Sequence, residues 1–249
     1  MPKKPYYGWY VALAISVVIF LLKIIAGMLG SSLVRVNEGL ELSRSTFGMF
    51  LALSALPLVV APIVVGKLVD VIGAKRTILI GCLLAGSGTL MFSVIAQPWQ
   101  FSLSLLMANL GNAFVLFIPV YALIFIWYAP RRGMAIGLVM AIAAICDLMG
   151  KPVGGSLIEH FGWRAGAGAV GFSFLILTIP LVLIVIKDSP NRLNRSSDDG
   201  GSVEGRNLNH TTGESFRSST FWLLVAGIFA VNFALSPLAN ISALDYVGK

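Results

Sequence analysis

Three ionisable residues stand inside otherwise apolar stretches of the chain: Lys23, Asp147 and Lys151. Carrying a charge among apolar residues is costly, so each is a functional hypothesis by default. Asp147 and Lys151 are spaced i,i+4 and would share one helix face, where they can pair and lower the cost of burying both. Lys23 then remains as an ammonium able to meet an anion, or able to reach the end of its helix by extending its stem. The three charges sum to +1, which favours an anion over a cation. Asp147 also suits proton coupling, because a carboxylate can cycle between charged and neutral forms. Asn109 and Asn112, spaced i,i+3, offer amides to a carboxylate or to neighbouring helices, and Tyr121 adds a weaker polar candidate. No nucleophile–base pair and no metal-ligand cluster is evident, and His160 and His210 are far apart. An enzyme, a metal site or a resident cofactor is therefore not expected.

The elements that position these groups follow from composition. Of 249 residues, 57% are hydrophobic and 12% charged, half the charged share of an ordinary soluble domain. A chain this short has too much surface to hide so many apolar residues, and disorder needs low hydrophobicity instead. The solvent is therefore a lipid bilayer. The formal charge of +7 matters through its placement and does not signal nucleic acid. Cys82 and Cys146 both lie in apolar runs and read as small core residues.

A bilayer crossing needs about 20 mostly apolar residues. Seven runs qualify: 9–30, 46–66, 77–96, 100–127, 133–157, 165–186 and 219–243. They are continuous, without the alternation of a barrel wall, so the expected class is an all-α integral membrane protein. The first run is too long for a cleavable signal peptide. The polar stretch 187–218 reads as a linker, which divides the chain into a six-helix bundle (1–186), the linker, and a seventh helix (219–249). With the N-terminus cytoplasmic, twelve basic residues fall inside and three, Arg35, Arg44 and Arg164, fall outside. A receptor of the seven-helix kind would have the opposite orientation, and a retinal protein would need a lysine in 219–243, which has none. Lys23 lies 14 residues after Trp9 and Asp147 lies 14 after Gly133, so both should sit about 20 Å into the bilayer from the cytoplasmic side.

Between the second and third runs the chain reads Gly66-Lys67-Leu68-Val69-Asp70-Val71-Ile72-Gly73-Ala74-Lys75-Arg76. This resembles the signature of the major facilitator superfamily, matching at Gly66, Leu68, Asp70, Gly73, Lys75 and Arg76 and departing at Val71 and Ala74. A second stretch contains Trp127-Tyr128-Ala129-Pro130-Arg131-Arg132-Gly133, Lys151-Pro152-Val153-Gly154-Gly155 and Phe161-Gly162-Trp163-Arg164. With Tyr7-Gly8-Trp9 and Phe221-Trp222-Leu223-Leu224, it looks most like the monocarboxylate transporter and oxalate–formate exchanger branch.

The resemblance implies the N-terminal six-helix bundle of a major facilitator fold plus a seventh helix, apparently truncated, with a missing second half expected. It implies a multi-pass protein of the plasma or cytoplasmic membrane. The activity implied is alternating-access transport of a small organic anion, a monocarboxylate or dicarboxylate, by proton coupling or exchange. The alternatives are a non-transporting fragment, or a channel or receptor. The signature loop would be a conformational latch between halves (Gly66, Asp70, Gly73, Lys75, Arg76), or would merely anchor at the headgroups. Spans one and four line the cavity in the family, which would make Lys23, Asn109, Asn112 and Tyr121 substrate-binding residues. Asp147 and Lys151, near the family's inter-half interface, would serve proton coupling or gating.

Overall fold

A computed structural model of the chain describes residues 8–40, 43–116, 118–127 and 132–186. All described regular structure is helical: α1 (Gly8–Leu40), α2 (Arg44–Ile72), α3 (Ala74–Ser93), α4 (Pro98–Val115), α5 (Ile118–Trp127), α6 (Arg132–Phe161) and α7 (Trp163–Val185). Six stretches are long and apolar enough to cross a membrane: 8–33, 45–72, 74–93, 98–124, 136–161 and 163–185. These correspond to the first six runs read from the sequence. The linker 187–218 and the run 219–243 lie outside the described residues.

Two boundaries differ from expectation for physical reasons. The second helix runs on through Gly66 to Ile72, so the signature is mostly helix and its turn is Gly73 alone. The run 100–127 is broken between α4 and α5. Pro119, in the first turn of α5, has no N–H to donate to the preceding turn, and Leu116 N instead closes α4 by donating to Asn112 O at 2.9 Å.

Local sequence explains where the helices start. Ser43 caps α2, its hydroxyl accepting from Thr46 N at 3.2 Å. Before α4, Gln100 Oε1 accepts from Ala96 N at 2.8 Å and Gln97 N at 3.1 Å, with Pro98 opening the helix. Gly73 and Gly162 each make a whole helix–helix connection at positive φ, 88° and 74°, a conformation that glycine adopts without steric penalty.

Those two turns belong to matching segments. Asp70-Val71-Ile72-Gly73-Ala74-Lys75 joins α2 to α3, and Glu159-His160-Phe161-Gly162-Trp163-Arg164 joins α6 to α7, both with the form acid-x-x-Gly-x-base. The basic residues act reciprocally. Lys75 Nζ at the start of α3 donates to Leu183 O near the end of α7 at 2.7 Å. Arg164 Nη2 at the start of α7 donates to Ile95 O just past the end of α3 at 3.1 Å. Arg164 also lies over the Trp163 ring, 4.5 Å from its centroid. Arg164→Ala should therefore cost about 1–2 kcal/mol of stability, which thermal melting in detergent would show. A melting curve identical to wild type would refute that assignment.

Helix α3 packs against α4 and α7, α1 against α6 and α7, and α2 against α4. Phe92, Phe101 and Phe174 are fully buried between these layers, and Phe92 meets Trp163 edge-on at 5.9 Å. Exposed faces carry large apolar residues, among them Leu53, Val59 and Ile63 on α2. Cys82 and Cys146 are both buried in helices with free thiols.

Candidate functional site

The site is built where α1 crosses α6. A side chain on Gly27 would run into the Lys151 backbone, and one on Gly154 would run into Ile24 O and, at 2.5 Å, Met28 N. At Gly150 an added Cβ would stand 2.8 Å from Lys23 Cβ and 3.1 Å from Ile24 N. Glycine at these three positions lets the two backbones touch, which fixes the relative register of the helices to within van der Waals contact. Ser32 Oγ folds back on Met28 O at 2.7 Å, and Arg35 Nη1 reaches from α1 to Ile158 O of α6 at 3.0 Å. The crossing is thus tied beyond its glycines, towards the ends of α1 and α6 that carry Arg35 and Ile158.

That register brings the three charges together. Lys23 Nζ lies 2.8 Å from Asp147 Oδ1, and Lys151 Nζ lies 2.8 Å from Asp147 Oδ2. The i,i+4 pair is present, as the spacing allows. Lys23, which that pairing alone would leave over, joins the same carboxylate, so its ammonium is turned inward and does not snorkel. Each carboxylate oxygen receives one ammonium. The side chains of Lys23, Asp147 and Lys151 are 24%, 35% and 55% exposed, so the cluster has an open side, with Lys151 the most accessible member. Cys146, next to Asp147, is buried against α1, with its thiol 3.8 Å from Ser16 O.

The polar candidates of α4 and α5 are placed elsewhere. Asn109 Nδ2 donates to Ser54 O at 2.8 Å, binding α4 to α2 beside the proline-containing stretch of α2. Asn112 is half-buried one turn further along α4. Tyr121 Oη donates to Met140 Sδ at 3.4 Å, joining α5 to α6 two turns before Asp147. Among the described residues no hydrogen bond or ion pair joins Asn109, Asn112 or Tyr121 to the charged cluster. One donor of the Asn109 amide is used in helix packing.

Of the signature residues, Gly66 is an ordinary helical position with open space beside it, and Gly73 alone supplies the turn. Asp70 and Arg76 are exposed at this end of the bundle, while Lys75 is committed to Leu183 O. Sequence reading missed three contributors. Gly27 completes the glycine crossing, and its signal was the small residue four positions after Lys23. Arg35 ties α1 to α6, with no local signal. Glu159–Arg164 repeats the signature pattern and was legible by comparing the chain with itself.

Comparisons with known proteins agree with this architecture. The family model described as Major Facilitator Superfamily matches residues 8–246. The chain is 28% identical over 179 residues to the uncharacterized MFS-type transporter YfiU of Bacillus subtilis, covering 71% of this chain and 33% of that protein. It is 27% identical over 167 residues to the MFS-type transporter pytF of Aspergillus terreus, covering 67% of this chain and 53% of that one. The riboflavin transporter RibZ of Clostridioides difficile is 26% identical over 121 residues, 49% of this chain and 25% of its own length. The chain thus spans between a quarter and about half of the length of these curated relatives. It belongs to the major facilitator superfamily, a family of membrane transporters and not of enzymes.

Proposed function

We propose that this major facilitator chain forms the first six-helix bundle, the central linker (187–218) and a seventh span (219–243) of a secondary transporter that carries a small organic anion by alternating access. The observation that carries the anion reading is the Lys23–Asp147–Lys151 cluster, with one net positive charge and an open side. An uncompensated cation in a bilayer is costly, and an arriving carboxylate offsets that cost. The sequence likeness to the monocarboxylate transporter and oxalate–formate exchanger branch supports the same class. On this reading the protein resides in the plasma or cytoplasmic membrane with its N-terminus cytoplasmic, and Gly66, Asp70, Gly73, Lys75 and Arg76 belong to a latch against the second half.

Two measurements test the proposal. The first is the intact mass of N-terminally tagged protein from its native membrane; a mass near twice 26.6 kDa fits a chain continued by a second bundle. The second is uptake and counterflow of labelled monocarboxylates and dicarboxylates by the full-length protein in liposomes. Ion currents without counterflow would point to a channel instead.

Asp147 has a second reading as the proton-coupling or gating residue, because among the described residues it is the acid paired with both lysines. If it couples protons, Asp147→Asn should make uptake independent of an imposed pH gradient. A gradient response equal to wild type would remove it from the coupling step.

A further inference from the structure

We propose that Asp147 sets the charge of the transported ion, selecting monocarboxylates and excluding dicarboxylates. The inference rests on the anion reading above and narrows its substrate class. Two ammonium groups share one resident carboxylate, each at 2.8 Å from a different oxygen. An ammonium has three donors, and these ion-pair contacts occupy at most one on each lysine, so both retain donors for a second carboxylate. Lys151 is the more exposed and is the first contact for an ion entering from the open side.

A planar carboxylate arriving there can bridge the two ammonium groups opposite Asp147, giving two cations alternating with two anions. The loaded cluster is then neutral. A dicarboxylate would leave it with one negative charge in a medium of low polarity, where unpaired charge is heavily penalised. Asp147 is thus a fixed counter-anion that fills the place a second substrate carboxylate would take. The glycine crossing keeps it there: Gly150 and Gly27 hold the backbones of Lys23 and Lys151 against the opposite helix. Separating α1 from α6 to admit a larger charge would break this close packing.

The same arithmetic predicts a reversal. Asp147→Asn leaves two ammonium groups and a charge of +2, which a dianion neutralises. Asp147→Asn with Lys151→Gln leaves one ammonium, restores +1, and should restore preference for a monoanion.

The test is uptake by full-length protein in liposomes at one fixed pH, with labelled acetate and pyruvate against labelled malonate and succinate. Wild type should favour the monocarboxylates at least about tenfold, the ratio that a charge mismatch of about 1.4 kcal/mol produces. Asp147→Asn should bring the ratio to one or below, and the double variant should return it towards wild type. Unlabelled chloride, which lacks the two-oxygen face that a carboxylate sets against the two ammonium groups, should compete poorly. A wild type that prefers dicarboxylates overturns the charge matching while leaving the anion reading intact. The same holds if Asp147→Asn transports with an unchanged ratio. Should that variant fail to insert, a double variant without monoanion preference overturns it equally. No uptake of either class by wild type overturns the anion reading itself.

Discussion

If the proposed anion transport is right, replacing Lys23 with methionine in the full-length protein should cut anion uptake by about ten- to a hundredfold while leaving membrane insertion and thermal melting close to wild type. The asymmetry follows from the geometry. Asp147 keeps Lys151 at 2.8 Å when Lys23 is gone, so no buried carboxylate is stranded, and methionine fills the unbranched stem beside Gly150. What disappears is the net positive charge and one of two donors. A hydrogen bond to a charged group contributes about 1.5–3 kcal/mol, which is the stated range of fold-change. Lys23→Arg, which keeps the charge but spreads it over a planar fork, should retain part of the uptake. Wild-type uptake by Lys23→Met would mean that Lys23 serves only to neutralise Asp147.

Gly154→Leu should strongly disrupt the bundle. Its first side-chain atom would collide with Ile24 O and stand 2.5 Å from Met28 N, both backbone atoms, which cannot rotate away as a side-chain tip can. Helices α1 and α6 must then separate, and overpacking of this kind costs about 1–3 kcal/mol before the ties beyond it are counted. Separation also breaks the Lys23–Asp147 pair, so uptake should be lost even where the protein still folds. Gly137→Leu is the control: it lies on the same helix with nothing within 4 Å, and it should melt no lower than wild type. Equal melting temperatures for the two variants would show that the crossing tolerates a side chain.

Much of this was legible before any coordinates. Composition and run length gave the six spans, because a bilayer demands long apolar helices whatever they pack against. Equal counts from Trp9 to Lys23 and from Gly133 to Asp147 placed the charges at one depth, since helical rise is the same in both. The i,i+4 pair was readable for the same local reason. Lys23 joining it was not, because which helix faces which is a tertiary fact that spacing along one helix does not contain. Asn109 illustrates the converse. Its amide suits a ligand and a backbone carbonyl equally, and Ser54 O of a neighbouring helix satisfies it. The run 100–127 reads as one span, and its break before Pro119 was not legible, because whether a proline bends a helix or interrupts it depends on what satisfies the freed carbonyls around it.

Helices α3 and α7 are fastened to one another at both ends, by Lys75 on Leu183 O and by Arg164 on Ile95 O. A pair joined at one end can slide or splay; a pair riveted at both cannot shear by even one helical turn, about 5.4 Å, without breaking both fastenings at once. Relative sliding of these two helices is thereby opposed at both ends, which suits the pair to turning as one lever with Gly73 and Gly162 at its opposite tips.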